Sequence, residues 1–288
     1  MLISIITGQS ASLPREITEQ YSLTMIPFVV DWEAEKKNLD PKSIFEKMAE
    51  AEAAAADLPK TSHPAPWLFK KFFQEKLKSS ESVLFISISS GLSATFQAAS
   101  VGREMLDPAE KEKTFIFDCR NVSIGEGLIA IKAAELAAQG KSIKELIEGL
   151  EKFRSKVSLV ACFKDLKWIE RGGRISKILA SALSQAKKIG LNPVFGVKNG
   201  EVAAVNFNFG KEISTLAIFN ICEKENRGKK VRIAIAHAQN EETAKELESM
   251  IKEKMPLAKI EFISVLDNII GIHAGPGALL CAWHELDS

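Results

Sequence analysis

Residues 84–100 read LFISISSGLSATFQAAS. An alternating apolar run from Leu84 to Ile88 breaks into the hydroxyl-rich turn Ser89-Ser90-Gly91-Leu92-Ser93, and a helix-forming segment follows from Ala94 to about Met105. The stretch therefore reads as a strand, a turn and a helix N-terminus. The first turn of a helix carries unpaired N–H groups and a partial positive charge, which suit a carboxylate or a phosphate. Ser93 and Thr95 add hydroxyl donors at the same place. Open α/β sheets bind ligands at the carboxyl ends of their strands, which is where this turn would lie.

Working outward, the same alternation of strand and helix repeats along the chain. Strand-like runs cover 2–6, 24–30, 83–88, 115–118, 158–162, 193–197, 202–207, 232–236 and 259–264. Helix-like runs cover 14–20, 41–55, 66–78, 93–105, 125–139, 143–153, 165–170, 176–187, 211–224 and 241–254. Start signals accompany several helices: Asp40 before Pro41, Ser142 with Glu145 three residues on, and Asn240 before Glu241. Gly140 is a stop signal. The pattern predicts an α/β fold of two lobes with largely parallel sheets and a ligand cleft between or beside them. Two successive helices ending near Lys156 break the alternation. The division is accordingly drawn between lobes 1–156 and 157–288, with the last segment packing back toward the first lobe. Asn199-Gly200 between two apolar runs predicts a hairpin.

Composition narrows the function classes. The chain has 288 residues, 46% hydrophobic and 26% charged, with a formal net charge of +1. Such a balance fits a soluble protein with a full core and gives no global attraction to nucleic acid or an anionic membrane. No apolar run approaches the length of a membrane span, and the N-terminal run lacks a basic flank, so a cytoplasmic protein without stable membrane insertion is expected. Cys119, Cys162, Cys222 and Cys281 are scattered without a CxxC pair, and His63, His237, His273 and His284 show no ligand spacing. Neither a metal nor a cofactor is expected.

Four motifs remain as candidates for chemistry. Gly125-Glu126-Gly127 has the start of a dinucleotide fingerprint without its continuation; the other reading is close packing of helix and strand. Gly271-Ile272-His273-Ala274-Gly275-Pro276-Gly277 reads as a glycine-rich loop, either a ligand approach or a tight turn. Thr61-Ser62-His63-Pro64 precedes a helix and forms a second hydroxyl-rich N-terminus. Ser93 follows a strand like a nucleophile elbow, but Gly91-Leu92-Ser93-Ala94-Thr95 lacks the second glycine of GxSxG. A serine hydrolase acting on an ester or acyl substrate through Ser93 and His273, with Asp118 or Asp267 as orienting acid, is the alternative function.

Taken in order, Thr61-Ser62-x-Pro64, Ile88-Ser89-Ser90-Gly91-Leu92-Ser93-x-Thr95, Asp118-x-Arg120-x-Val122-Ser123-x-Gly125-x-Gly127, Arg171-Gly172-Gly173-Arg174-Ile175 and Gly271-x-His273-x-Gly275-Pro276-Gly277 resemble the motif series of the DegV family. The resemblance spans nearly the whole chain. It implies a two-lobed α/β protein that binds a long-chain fatty acid and is not itself an enzyme. It also implies carboxylate contacts from Thr61, Ser62 and Ser93, with Thr95 alongside, and a His273 loop near the head group. Arg171 and Arg174 would lie near the head group or a partner surface. Some members resemble the FakB subunits of bacterial fatty acid kinase, which present the bound acid to a kinase subunit. The chain departs from the family pattern in three places. Thr7-Gly8-Gln9-Ser10 lacks the acid of a TDS-like opening, Ser93-Ala94-Thr95-Phe96 replaces SGTY, and Val205-Asn206-Phe207-Asn208-Phe209-Gly210-Lys211 lacks the arginine of a K-x-R-x-x-K pattern. The last departure bears on a kinase partner more than on lipid binding.

Overall fold

The computed structural model describes residues 2–32, 41–53, 58–210 and 214–286. The chain forms two compact units, one of residues 1–29, 62–157 and 199–201, the other of 30–61, 158–198 and 202–288. The sequence reading divided the chain once, between 156 and 157; in the structure it passes between units several times. The first two passages fall within short paired strands, β3 (Val29–Asp31) and β4 (Lys60–Ser62).

The first unit is built on a parallel sheet of order β2-β1-β5-β6, comprising β1 (Ile3–Gly8), β2 (Thr24–Ile26), β5 (Ser82–Ser87) and β6 (Thr114–Asp118). From β1 the chain moves outward to β2, and from β5 outward to β6, so the topological switch point lies between β1 and β5. Leu84, Phe85 and Ile86 of β5 are fully buried, as expected of a parallel strand covered on both faces. The helices are α1 (Arg15–Gln20), α3 (Pro66–Leu77), α4 (Thr95–Glu104), α5 (Pro108–Glu112), α6 (Ile124–Ala138) and α7 (Ile143–Arg154). Phe69 and Phe73 of α3 pack with Ile6, Val83 and Phe85, the Phe69 and Phe85 rings meeting at 5.2 Å in an edge arrangement. Gly102 lets α4 lie against α3: a Cβ there would stand 2.5 Å from the Pro66 carbonyl oxygen. The first eight residues of α6 are all buried, which explains its all-round apolar sequence.

The second unit holds a mixed sheet of order β11-β10-β12-β7-β8-β9. Its strands are β7 (Ser158–Cys162), β8 (Leu191–Lys198), β9 (Glu201–Phe209), β10 (Val231–His237), β11 (Ala258–Val265) and β12 (Leu279–Glu285). Only β10 and β11 pair in parallel; β10 with β12, β12 with β7 and β7 with β8 are antiparallel. The last segment runs as β12 through the middle of this sheet. It is apolar on both faces, from Leu279 to Trp283, and a central strand buries both. The helices are α2 (Pro41–Ala53), α8 (Lys167–Arg171), α9 (Lys177–Lys188), α10 (Thr215–Asn226), α11 (Glu241–Lys254) and α12 (Asn268–Ala274). Val160, Val194, Ile218, Ile235, Leu247 and Trp283 belong to one buried cluster. Asn199 and Gly200 have φ of 52° and 85°, the two positive angles that the hairpin signal requires. Two expected features, the Asp40 cap and a helix start at Lys211, lie outside the described residues; α10 begins at Thr215, capped by Ser214, whose Oγ accepts from the Ala217 N–H at 3.1 Å.

Candidate functional site

In the first unit β5 ends at Ser87 and the chain turns through Ser89–Ala94 into α4. The helix starts at Thr95, two residues later than its sequence pattern suggests; its N-cap, Ala94, has no side-chain cap, and Ser93 Oγ accepts from the Thr95 N–H at 3.3 Å. The Ser93 and Thr95 hydroxyls are 2.7 Å apart. The loop is held from outside by Asp118 at the end of β6, which accepts from the Ser90 hydroxyl at 2.6 Å and from the N–H groups of Ser90 and Arg120 at 3.2 and 2.9 Å. Ser89 Oγ donates to the Gly200 carbonyl at 2.6 Å. Ser93 Oγ thus bonds within its own loop, and both Asp118 oxygens are occupied by the Ser90 hydroxyl and the N–H groups of Ser90 and Arg120. The hydrogen-bond partners of Ser93 Oγ are the hydroxyl and N–H of Thr95, with no histidine among them.

In the second unit Thr61 of β4 and His273 of α12 meet, Oγ1 to Nε2, at 2.7 Å. The sequence reading of 271–277 as a loop is corrected here. Residues 268–274 are helical, capped by Asp267, and His273 stands in the last turn. The glycines are explained by packing: Gly271 faces the Phe45 ring, and Gly275, at φ 76°, faces Trp168. Gly172 makes room for the imidazole, since a Cβ there would stand 2.4 Å from His273 Nδ1. The Arg171–Ile175 motif and the His273 motif are therefore neighbours in space. Arg174 donates to the Gly172 carbonyl. Burial, and secondarily the Arg174 charge, push the His273 pKa down to about 4, so the imidazole is neutral at physiological pH. Burial also lowers the Arg174 pKa. Arg171 is exposed on α8, and Ser62 is exposed at the end of β4. A hydroxyl, a neutral imidazole and a guanidinium in one place make an anion-binding set.

Sequence reasoning missed a third group. Glu126, in the first turn of α6, is fully buried, and its Oε1 accepts from the Thr7 and Ser10 hydroxyls, each at 3.1 Å. Thr7 also lies 3.2 Å from the Ile86 carbonyl, which places the cluster at the β1–β5 switch point. Oε2 is buried without a well-aligned hydrogen bond. Burial outweighs the help that Ser10, Thr7 and the Gly8 N–H give the charged form, and pushes the pKa up to about 8. Glu126 of α6 thus stands beside the Thr7–Ser10 loop, whose own sequence has no acid. The flanking glycines pack: Gly125 against the Asn121 side chain, Gly127 against Leu13. The available signal was an acid inside the otherwise apolar first eight residues of α6. Next to it Ser123 holds φ 52° and ψ −136°, a strained conformation for a residue with a side chain. Among the described residues no group of three or more His, Cys, Asp or Glu side chains could hold a metal ion, and no helix is long and apolar enough to cross a membrane.

Comparison with known proteins places this geometry. Residues 2–285 match a family model described as "Uncharacterised protein, DegV family". Protein DegV of Bacillus subtilis (strain 168) is 30% identical over 290 residues, covering 98% of this chain and 99% of that protein. A solved structure of DegV from Bacillus subtilis, described as a fatty acid binding protein, superposes with a TM-score of 0.83 at 28% identity, over 99% of this chain and all of that one (100%). A DegV family protein from Thermus thermophilus, reported for its fatty acid binding, gives a TM-score of 0.86 at 25% identity, covering 99% and 100%.

Proposed function

We propose, starting from the fact that this chain belongs to the DegV family, that it binds a long-chain fatty acid non-covalently. The observation that carries the proposal is the full-length likeness to two solved relatives described as fatty acid binding. The proposed carboxylate donors are uncharged: Ser93 and Thr95 at the start of α4, and Thr61 and Ser62 of β4, Thr61 being hydrogen-bonded to neutral His273. The acyl chain lies in an apolar slot. About 14 buried methylenes contribute roughly 11 kcal/mol before ordering and association are subtracted, so the tail sets affinity. A hydrogen bond to the carboxylate adds about 1.5–3 kcal/mol and sets orientation. Presentation to a kinase subunit, which the resemblance implies for some members, would call on the arginine this chain lacks near Asn208; binding does not depend on it.

Mass spectrometry of lipid extracted from the natively purified chain tests the proposal: a co-purifying fatty acid is expected. Ser93→Ala and Thr61→Val should each weaken binding of added fatty acid about 10- to 100-fold, the loss of one charge-assisted hydrogen bond. No extracted fatty acid, together with no calorimetric signal on titration with one, would sink it.

A further inference from the structure

The six-stranded sheet has two edges, and they are built differently. The β11 edge carries Lys259 and Glu261, paired at 2.8 Å, and its register with β10 shifts between Ile233 and Ala234. Charges and bulges of this kind stop an edge from pairing with another chain. In the other unit the edge strands are short, three residues in β2 and five in β6. The β9 edge is neither short nor, beyond Glu201, charged. It is nine residues long, and from Val202 to Phe209 it contains no charge and no proline. Phe207 and Phe209 are 44% and 79% exposed. Asn206 turns its own Oδ1 onto the Phe207 N–H at 2.8 Å, a local bond of the sort a side chain makes where the ladder does not take the donor. This is the segment in which the family's arginine pattern is replaced by VNFNFGK.

We infer that β9 is a self-association edge, on which a second copy of this chain adds its own β9 antiparallel about a two-fold axis at Phe207. The sequence specifies the occupant. Val205-Asn206-Phe207-Asn208-Phe209 is nearly the same read in either direction. Antiparallel pairing about Phe207 sets Phe207 opposite Phe207, Phe209 opposite Val205 and Asn206 opposite Asn208. Aromatic and aliphatic side chains then meet on one face, amides meet on the other, and no like charges face each other, which are the pairings that stabilise adjoining strands. Exposed Ile189 extends the apolar rim, since its neighbour Gly190 accepts from the Gly210 N–H at the end of β9. A two-fold contact buries the same patch on both copies and closes the edge without leaving a new one. The inference is independent of the fatty acid.

Sedimentation velocity of the full chain, from about 1 to 300 µM to bracket the micromolar affinity of a small interface, tests it. A concentration-dependent monomer–dimer equilibrium is expected, and Phe207→Lys should abolish it. Asn206→Lys, at an exposed position, serves the same purpose should Phe207→Lys fail to fold. Phe207→Cys should give a disulfide-linked dimer under mild oxidation and Phe209→Cys should not, the four native cysteines being buried. A chain that stays monomeric throughout, a dimer that both lysine variants leave intact, or a cross-link at 209 in place of 207 overturns the inference.

Discussion

Glu126 and His273 are shifted in opposite directions by one cause, burial of a group that is charged on only one side of its titration. Their effects on stability therefore oppose each other over part of the pH range. Glu126 keeps its proton up to about pH 8 when folded and loses it near 4.5 when unfolded. The folded state binds the extra proton in that window, so stability falls as pH rises from 4.5 to 8. His273 takes up its proton near 4 when folded and near 6.5 when unfolded, so its contribution is complete above 6.5 and is lost as pH falls toward 4. Between 6.5 and 8 the imidazole is silent and Glu126 acts alone. Glu126→Gln, which mimics the protonated acid, should flatten the fall in unfolding free energy across that window. The wild-type slope attributable to Glu126 approaches about 1.4 kcal/mol per pH unit. Denaturant unfolding at several pH values measures it, and equal slopes for variant and wild type would show that Glu126 carries no such proton. The sequence around Glu126 offered one signal, an acid in an apolar helix start, and none of the size of the effect. The residue sits between two glycines at a helix start, as many exposed acids do, yet it is fully buried beside Thr7 and Ser10, more than a hundred residues away.

Among the elements, α3 and α4 show how a single missing side chain sets a packing distance. Gly102 lies against the Pro66 carbonyl and Phe69 Cβ, with no room for a methyl group. Gly102→Ala improves intrinsic helix propensity by up to about 1 kcal/mol. Overpacking typically destabilises by about 1–3 kcal/mol and should dominate. A net loss of about 1–2 kcal/mol in chemical unfolding is expected. A more stable variant would mean that α3 can retreat. Elements such as β7 and α11 were legible from local pattern down to their end residues, because apolar periodicity and caps are local properties. β12 and α12 were not. The run from Leu279 to Trp283 follows a Gly-Pro-Gly turn and has no alternation, since a central strand is buried on both faces. His273 was read into a loop because three glycines look like loop punctuation; in fact Gly271 sits inside α12, tolerated because Phe45 fills the space a side chain would need.

For the whole molecule, the chain folds as two units that exchange segments several times, so a ligand that binds the folded chain should raise its stability through mass action. Fatty acid at 100 times its dissociation constant should add about 2.7 kcal/mol, seen as a rise in Tm that grows with the logarithm of ligand concentration. Delipidated protein with and without added fatty acid, followed by calorimetry, checks this; an unchanged Tm at saturating ligand would contradict specific binding to the native state.

Taken by itself, the sequence determined the α/β alternation, the strand-turn-helix at 84–100, the Asn199-Gly200 hairpin and the ordered motifs of the family. Each of these depends on residues a few positions apart, whose spacing sets local backbone geometry. Only the tertiary structure decided that β12 runs through the middle of its sheet, that Gly172 makes room for His273, that Thr61 meets the imidazole, and that Glu126 is buried beside the Thr7–Ser10 loop. Those outcomes depend on which distant residues exclude water from a group, and desolvation has no period that a sequence can display.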